Sequence, residues 1–188
     1  MIGALASCTV MLIAGGGFNA DLAPTGAEAI RDLPVSTVEL DYRLNDVPGA
    51  YRDAAALAAK LRTRPGPLVA YGESAGGAIA SWSAAYKRVD AAVTVGSPND
   101  LKLWSWLPSI RAEIGIDGTA WKWSPLRVYE GQRPVFQYHF EVDPFVPPAG
   151  QRLRGSRYTL VPGVGHVALD AAGTRTAIRR ACKTAASG

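Results

Sequence analysis

Cysteine and histidine are scarce in this sequence, with two of each among 188 residues. The cysteines, Cys8 and Cys182, lack the close spacing of metal ligands, so we expect no metal site and no other cofactor. Two thiols also cannot build the disulfide framework of a small secreted domain. We expect two buried free thiols, with a single bridge between them as the alternative.

Charge is sparse as well, since charged residues make up 19% of the chain and the net charge is +4. The basic residues near the C-terminus fit the solvated face of a helix: Arg175, Arg179, Arg180 and Lys183. Nucleic-acid binding would need a denser basic patch, with aromatic side chains placed to stack on bases. We therefore expect no nucleic-acid partner.

Long apolar runs are missing, and none approaches the roughly 18 residues that would cross a membrane. The segment Leu5–Cys8 is similar to a lipoprotein processing site, but only seven residues stand before the cysteine and none of them is Lys or Arg. A secretory signal needs a basic start and an apolar stretch of about 7–15 residues. The sequence thus predicts no stable membrane insertion and a cytoplasmic location by default, with secretion left open.

What the chain does contain is an alternation of short apolar runs with helical patterns. Six runs are almost continuously apolar, which is typical of parallel strands buried on both faces: Cys8–Ala14, Thr37–Asp41, Leu68–Tyr71, Ala91–Val95, Val135–Phe140 and Tyr158–Val161. Helical spacing occurs around Leu57, after Ser74 and in residues 168–185. The alternation predicts an α/β fold whose mostly parallel, six-stranded sheet carries helices on both faces.

One stretch breaks this alternation. Residues 99–133 contain no clear strand but hold four of the five tryptophans. A long connection inside a compact domain is often a lid or a binding loop. We therefore predict one domain, residues 1–188, with a tryptophan-bearing insertion at 99–133 between its fourth and fifth strands.

A pentapeptide of the form G-x-S-x-G spans residues 72–76. It follows a predicted strand and opens a predicted helix, which is the context that this motif requires around a nucleophilic serine. The turn leaves little room for side chains at Gly72 and Gly76, and the helix N-terminus adds positive potential. In isolation the pattern also fits an ordinary turn. In this context it predicts that Ser74 is a nucleophile.

A serine hydroxyl needs a neighbouring base, and the chain offers two histidines. His166 follows the last predicted strand in a glycine-flanked loop, whereas His139 lies in an apolar strand and is interpreted as a core residue. We predict that His166 is the base. The acid that holds the base is predicted to be Asp143, which follows the fifth strand, with Glu141 as a competitor and a turn role before proline as the alternative.

Acyl transfer also needs hydrogen-bond donors for a tetrahedral oxyanion. The amide of Ala75 is one by position, because it directly follows the serine. Three glycines, Gly15–Gly17, come after the first predicted strand, where exposed amides can converge on the same point. A flexible turn is the alternative, but three consecutive glycines cost backbone entropy, which favours a close backbone approach.

These motifs resemble those of the α/β-hydrolase superfamily, and most closely its hormone-sensitive-lipase group of esterases and lipases. That group carries His-Gly-Gly-Gly-Phe, Asp-Tyr-Arg-Leu and Gly-Glu/Asp-Ser-Ala-Gly-Gly segments, which correspond to residues 14–18, 41–44 and 72–77. The resemblance covers nearly the whole chain and implies the strand order 4-3-5-6-7-8 in the superfamily's numbering. It also implies a set of site residues: Asp143 as acid, His166 as base, and the amides of Gly16, Gly17 and Ala75 as oxyanion donors.

The chain departs from this group in three respects. Ala14 replaces the histidine of the glycine motif, which leaves open what supports the glycine loop. Phe140 stands where glycine is usual before the acid loop. We also expect a minimal fold, without the N-terminal strands and cap helices of the larger esterases.

The sequence says less about the substrate. Without a cap, the insertion at 99–133 would cover the site, and Trp104 and Trp106 would line an acyl pocket or lid, or else pack the insertion onto the domain. Phe18 and Glu73 are further candidates for substrate contact. The predicted substrate is a small-molecule carboxylic ester of small to medium acyl length, and the oligomeric state is not predicted.

Two other classes of function remain as alternatives. One is a thioesterase or peptidase of the same fold. The other is a non-catalytic binding protein on the hydrolase scaffold, since a fold does not fix a function. Such binding proteins typically lack one of the three reacting side chains, whereas Ser74, Asp143 and His166 are all present here.

Overall fold

Six strands form one sheet in the described part of the chain. This computed structural model describes residues 5, 7–20, 26–103, 114, 120–167 and 169–188, and at 120 and 121 it describes only the backbone. In chain order the strands are β1 (Thr9–Ile13), β2 (Ser36–Glu39), β3 (Leu68–Glu73), β4 (Ala91–Val95), β5 (Val135–Val142) and β6 (Arg157–Val164). Their order in space is β2-β1-β3-β4-β5-β6, and every pairing is parallel. All six predicted strands are confirmed, but the two edge strands, β2 and β6, are largely exposed and not buried on both faces as expected.

Helices cover both faces of the sheet, as predicted. Across the described ranges they are α1 (Gly26–Ala29), α2 (Val47–Leu61), α3 (Ala75–Ala85), α4 (Pro125–Val128) and α5 (Ala171–Ala186), with a 3₁₀ helix at Ala120–Trp123. Alternate residues of β1 belong to two separate cores: Met11 packs with α2 and α3, and Val10 packs with α5. This two-faced burial explains why the central strands are apolar without alternation.

The longer helices begin where the sequence places a capping carboxylate. The Asp46 side chain accepts the amide of Gly49 at 2.8 Å at the start of α2. At the start of α5, the Asp170 side chain accepts the amide of Gly173. Helix α3 has no such side-chain cap and is instead almost wholly buried, which fixes it firmly behind β3.

The parallel arrangement decides where the candidate site lies. Because all the strands run in one direction, their carboxyl ends share one edge of the sheet. The glycine segment, which is Gly15–Gly17, follows β1. Ser74 follows β3, Asp143 follows β5 and His166 follows β6. Four segments that are distant in sequence therefore meet at the same edge.

The two cysteines form a disulfide, so the expectation of free thiols is wrong. Cys8 lies just before β1 and Cys182 lies on the inner face of α5, with 6.0 Å between their Cα atoms. Both side chains are fully buried in the core between α5 and the sheet. Their sequence separation of 174 means that no spacing pattern in the sequence reveals this proximity.

Of the insertion at 99–133, the structure describes the two ends and Ile114. Trp104 and Trp106 lie outside the described residues, so their predicted role stays a prediction. Trp123 packs against the core, with its ring centroid 6.3 Å from that of Tyr51, whose hydroxyl donates to the Trp123 carbonyl at 3.1 Å. Over the described ranges, no helix has the length and apolarity to cross a membrane.

Candidate active site

Ser74 occupies a strained turn between β3 and α3. Its φ of 49° and ψ of −120° fall in a region that residues other than glycine rarely adopt. A Cβ at Gly72 would lie 2.1 Å from the Gly76 carbonyl oxygen, and one at Gly76 would lie 2.3 Å from the Ile13 carbonyl oxygen. The amide of Ser74 donates to the Val95 carbonyl at 2.8 Å, which fixes the turn against β4. The pentapeptide needs both glycines because backbone occupies the space on each side of the serine.

Ser74, His166 and Asp143 form one chain of hydrogen bonds. The Oγ of Ser74 is 2.9 Å from Nε2 of His166, and Nδ1 of His166 is 2.8 Å from Oδ2 of Asp143. Since a carboxylate only accepts, Nδ1 carries the proton in a neutral ring, and Nε2 is then free to accept the serine's proton. This arrangement can turn a serine hydroxyl into a nucleophile.

Asp143 is held as an ionised carboxylate. Its Oδ1 accepts the amides of Phe145 and Val146 at 2.9 and 2.8 Å, and its side chain is fully shielded from solvent. Burial by itself would raise the pKa of Asp143, but the hydrogen bonds from His166 and the two amides outweigh it, so the pKa lies below its usual range. The competitor Glu141 is exposed and instead accepts the amide of Gly163 at 3.3 Å.

A glycine at the end of β4 lets the histidine loop come close. Gly96 has a φ of 58°, and a Cβ there would lie 2.2 Å from the His166 carbonyl oxygen and 2.9 Å from its Nδ1. Any side chain at this position would push the imidazole away from Asp143. Gly96 was missed in the sequence, and its place directly after a central strand is the signal that could have found it.

The glycine segment after β1 lies beside the serine. A Cβ at Gly15 would be 3.3 Å from the Cβ of Ser74. Gly16 and Gly17 follow with φ values of 94° and 64°, which glycine adopts without the penalty that other residues incur. The segment thus brings backbone, without side chains, next to the serine hydroxyl.

Two residues expected to contact substrate face the protein interior instead. Phe18 is fully buried, and its ring packs edge-on against those of Tyr42 and Tyr51 at 6.3 Å from each. Glu73 is 2% exposed, and its Oε1 accepts the amide of Gly26 and the hydroxyl of Tyr71, each at 2.8 Å. Both residues support the loops around the site.

Solved structures share the fold of this chain, although no protein-family model matches it and no curated protein is similar to it in sequence. The carboxylesterase Cest-2923 from Lactobacillus plantarum is 19% identical, with a TM-score of 0.70 over 84% of this chain and 72% of that one. A truncated carbohydrate esterase from gut microbiota is 16% identical, with a TM-score of 0.70 over 86% and 78%. A puromycin-hydrolyzing peptidase from Mycobacterium tuberculosis is 16% identical, with a TM-score of 0.70 over 96% of this chain but 34% of that one.

At these identities the likeness establishes the fold. The chain has the α/β-hydrolase fold. When β1 is taken as strand 3 of that fold, the observed strand order is the predicted 4-3-5-6-7-8. The ring of Phe140 has room because residue 165 is glycine, since a Cβ at Gly165 would lie 2.7 Å from that ring.

The second histidine, His139, is fully buried on β5, as expected of a core residue. Its Nε2 lies 3.2 Å from the Val146 carbonyl, in the loop that holds Asp143. Among the described residues nothing pairs with its Nδ1. Donation from Nε2 to this carbonyl fits the neutral tautomer that carries its proton on Nε2, and burial lowers the pKa of His139 below its usual value of about 6.5.

Replacing His139 by glutamine is expected to flatten the pH dependence of stability between pH 5 and 7. In the wild type, the unfolded chain binds a proton at His139 near pH 6.5, whereas the folded state binds it only at a lower pH, so stability falls as pH drops through this range. Glutamine keeps a donor for Val146 but does not titrate. Urea unfolding at several pH values measures this, with a difference in slope of at most about 1.4 kcal/mol per pH unit. Identical slopes for the two proteins would contradict this account of His139.

Proposed function

We propose that this chain is a serine hydrolase that cleaves carboxylic esters through an acyl-enzyme on Ser74. The observation that carries the proposal is the hydrogen-bond chain, with 2.9 Å between Ser74 Oγ and His166 Nε2 and 2.8 Å between His166 Nδ1 and Asp143 Oδ2. Serine, histidine and aspartate with these roles recur on unrelated folds as a catalytic triad. The esterases among the solved structures of the same fold support ester chemistry.

In the first half of the proposed reaction, Ser74 Oγ attacks the ester carbonyl carbon while its proton passes to His166 Nε2. The carbonyl oxygen becomes an oxyanion, which the amides of Gly16, Gly17 and Ala75 would receive. His166 then gives the proton to the leaving alkoxide oxygen, the carbon–oxygen bond breaks, and an alcohol leaves. Asp143 stays ionised throughout and stabilises the imidazolium.

In the second half, a water molecule attacks the acyl-serine carbonyl and passes a proton to His166. The tetrahedral intermediate collapses, Ser74 recovers the proton from His166, and a carboxylic acid leaves. The same donors serve both halves because each half passes through an oxyanion at the same place. No cofactor is needed for either half.

The proposed substrate is an ester with a small to medium acyl group. Phe145 is 37% exposed, and its ring lies 5.0 Å from that of His166, so an apolar surface borders the base. A non-catalytic binding role is disfavoured, because all three side chains are present and His166 is within hydrogen-bond distance of both Ser74 and Asp143.

The location proposed here differs from the cytoplasmic default. Disulfides persist in oxidising compartments and are rare in the cytosol, where thiols are kept reduced. The Cys8–Cys182 bridge therefore favours export over the cytoplasm. Both cysteines are buried, so the test is to label free thiols in protein that is denatured directly from intact cells, and two reactive cysteines would contradict export.

A substrate panel tests the proposed chemistry. Purified protein is assayed with p-nitrophenyl esters from acetate to palmitate, with an acyl thioester and with amino-acid p-nitroanilides. The anilides are included because one of the solved structures with the same fold is a peptidase. We expect turnover of the short and medium esters, with kcat/KM falling for the longest. Turnover of the thioester but not of the esters would indicate a thioesterase, and turnover of the anilides alone would indicate a peptidase. No turnover of any substrate would favour the binding protein.

A further inference from the structure

A buried tyrosine hydroxyl lies behind the glycine segment. The hydroxyl of Tyr42 donates to the Gly15 carbonyl at 2.6 Å and lies 3.2 Å from the Ala14 carbonyl. Tyr42 is 6% exposed, so water does not compete freely for these bonds. A hydroxyl has one proton, and the shorter distance makes Gly15 its main acceptor.

The peptide unit that this hydroxyl holds also carries a proposed oxyanion donor. The Gly15 carbonyl and the Gly16 amide belong to the same peptide bond, and the described residues include no cis bond. In a planar trans peptide the C=O and the N–H point in opposite directions. A donor that fixes the Gly15 carbonyl from behind therefore aims the Gly16 N–H to the other side.

The next peptide unit is fixed in a different way. The Gly16 carbonyl accepts the amides of Asn19 and Ala20, each at 3.0 Å. By the same geometry these bonds aim the Gly17 N–H. A backbone turn thus orients the N–H of Gly17, whereas the orientation of the Gly16 N–H depends on one side chain, that of Tyr42.

We propose that Tyr42 is the positioning residue of the oxyanion site, which holds the Gly15–Gly16 peptide unit from behind and so orients the Gly16 amide. The inference rests on the proposed hydrolase function. Tyr42 acts through Gly16 and does not touch the substrate. Its hydrogen bond also polarises the peptide unit, which strengthens the amide as a donor.

The test compares Tyr42→Phe with Tyr129→Phe as a matched control. Tyr129 is also buried, and its hydroxyl donates to the Arg133 carbonyl at 2.7 Å, before β5 and at the opposite edge of the sheet. Each variant loses one hydroxyl that donates to a backbone carbonyl and keeps its ring. Only Tyr42→Phe removes the donor behind the glycine segment.

We expect kcat of Tyr42→Phe to fall by about 10- to 100-fold, somewhat less than the loss of a whole oxyanion donor. KM should stay within about twofold, because the donor acts mainly on the transition state. Affinity for a boronic acid, which forms a tetrahedral adduct with a serine, should fall in parallel. Tyr129→Phe should match the wild type in all three measurements. An active wild type and an equally active Tyr42→Phe would overturn the inference and leave the proposed function standing.

A readout that does not need catalysis separates the two proposals. In protein labelled with ¹⁵N-glycine, Tyr42→Phe should move the amide resonances of Gly15 and Gly16, whereas Tyr129→Phe should not. Unmoved resonances would overturn the role of Tyr42 whatever the enzyme does. If Tyr42→Phe does not fold, the structure of the wild-type boronic-acid adduct decides instead: the Gly16 amide must donate to the adduct oxygen, and an amide that points away contradicts the inference.

Discussion

Replacing Ser74 by alanine is expected to lower kcat/KM for esters by at least about 10⁴-fold, because the acyl group then has no nucleophile to bond with. Ser74 is 7% exposed and makes one side-chain hydrogen bond to His166, so the fold should survive the change. Initial rates with a short p-nitrophenyl ester measure the loss, and the thermal unfolding midpoint shows that the variant is folded. A variant with wild-type turnover would contradict the proposed mechanism.

The companion variant His166→Ala should lose a similar factor. Because the serine and the base act as one unit, kcat/KM of the double variant Ser74→Ala/His166→Ala should be little lower than that of either single variant. The activity of the wild type should rise from acid towards neutral pH, since only a neutral imidazole can accept the proton of serine. That rise should be missing in His166→Ala. Additive losses, or an unchanged pH profile, would show that His166 is not the base.

Breaking the Cys8–Cys182 bridge is expected to have the largest effect on stability. The bridge joins residues 174 positions apart and so restricts the unfolded chain strongly. For a loop of this length, the loss of chain entropy predicts about 5 kcal/mol of stabilisation. The doubly substituted variant Cys8→Ala/Cys182→Ala should therefore unfold at a temperature roughly 10–20 °C lower than the wild type.

Reduction supplies the control for this prediction. A reductant should lower the urea midpoint of the wild type and leave that of the double variant unchanged. Activity below the unfolding transition should be retained, because Cys8 lies at the amino end of β1, opposite the edge that carries Ser74. Equal midpoints for the oxidised wild type and the double variant would show that the bridge does not form in solution.

The sheet, and the meeting of Ser74, Asp143 and His166 at one of its edges, could be predicted because the decisive patterns are local. Six apolar runs mark strands, and in a parallel sheet the residues after those strands meet at one edge. Ser74, Asp143 and His166 each directly follow such a run or lie within a few residues of it. Sequence position alone therefore indicates that they can meet, although it supplies no distance.

Side-chain direction was harder to predict, as Glu73 illustrates. It neighbours the serine, which made it a candidate for substrate contact, but it ends β3 two residues after Tyr71 and so shares the face of that residue. That face packs under α1 and α5, and the carboxylate accepts the Gly26 amide there. The two-residue period of the strand predicts this inward direction of the Glu73 side chain, whereas its proximity to Ser74 favoured the interpretation as a substrate contact.

Contacts between distant segments were beyond the sequence. Cys8 and Cys182 adjoin only because α5 packs back onto the sheet. The hydroxyl of Tyr42 reaches the Gly15 carbonyl only because the segment after β2 crosses behind the glycines. Neither contact corresponds to a spacing or a periodicity in the sequence from which it could be predicted.

The most direct test of the central claim is to locate the residue that becomes covalently modified. Wild-type protein is treated with an organofluorophosphate, which phosphorylates an activated serine, and is then digested and examined by mass spectrometry. We predict one label, on the peptide that contains Ser74, with complete loss of esterase activity and no labelling of Ser74→Ala. A label on another residue, or full activity in unlabelled protein, would contradict the claim that Ser74 is the nucleophile.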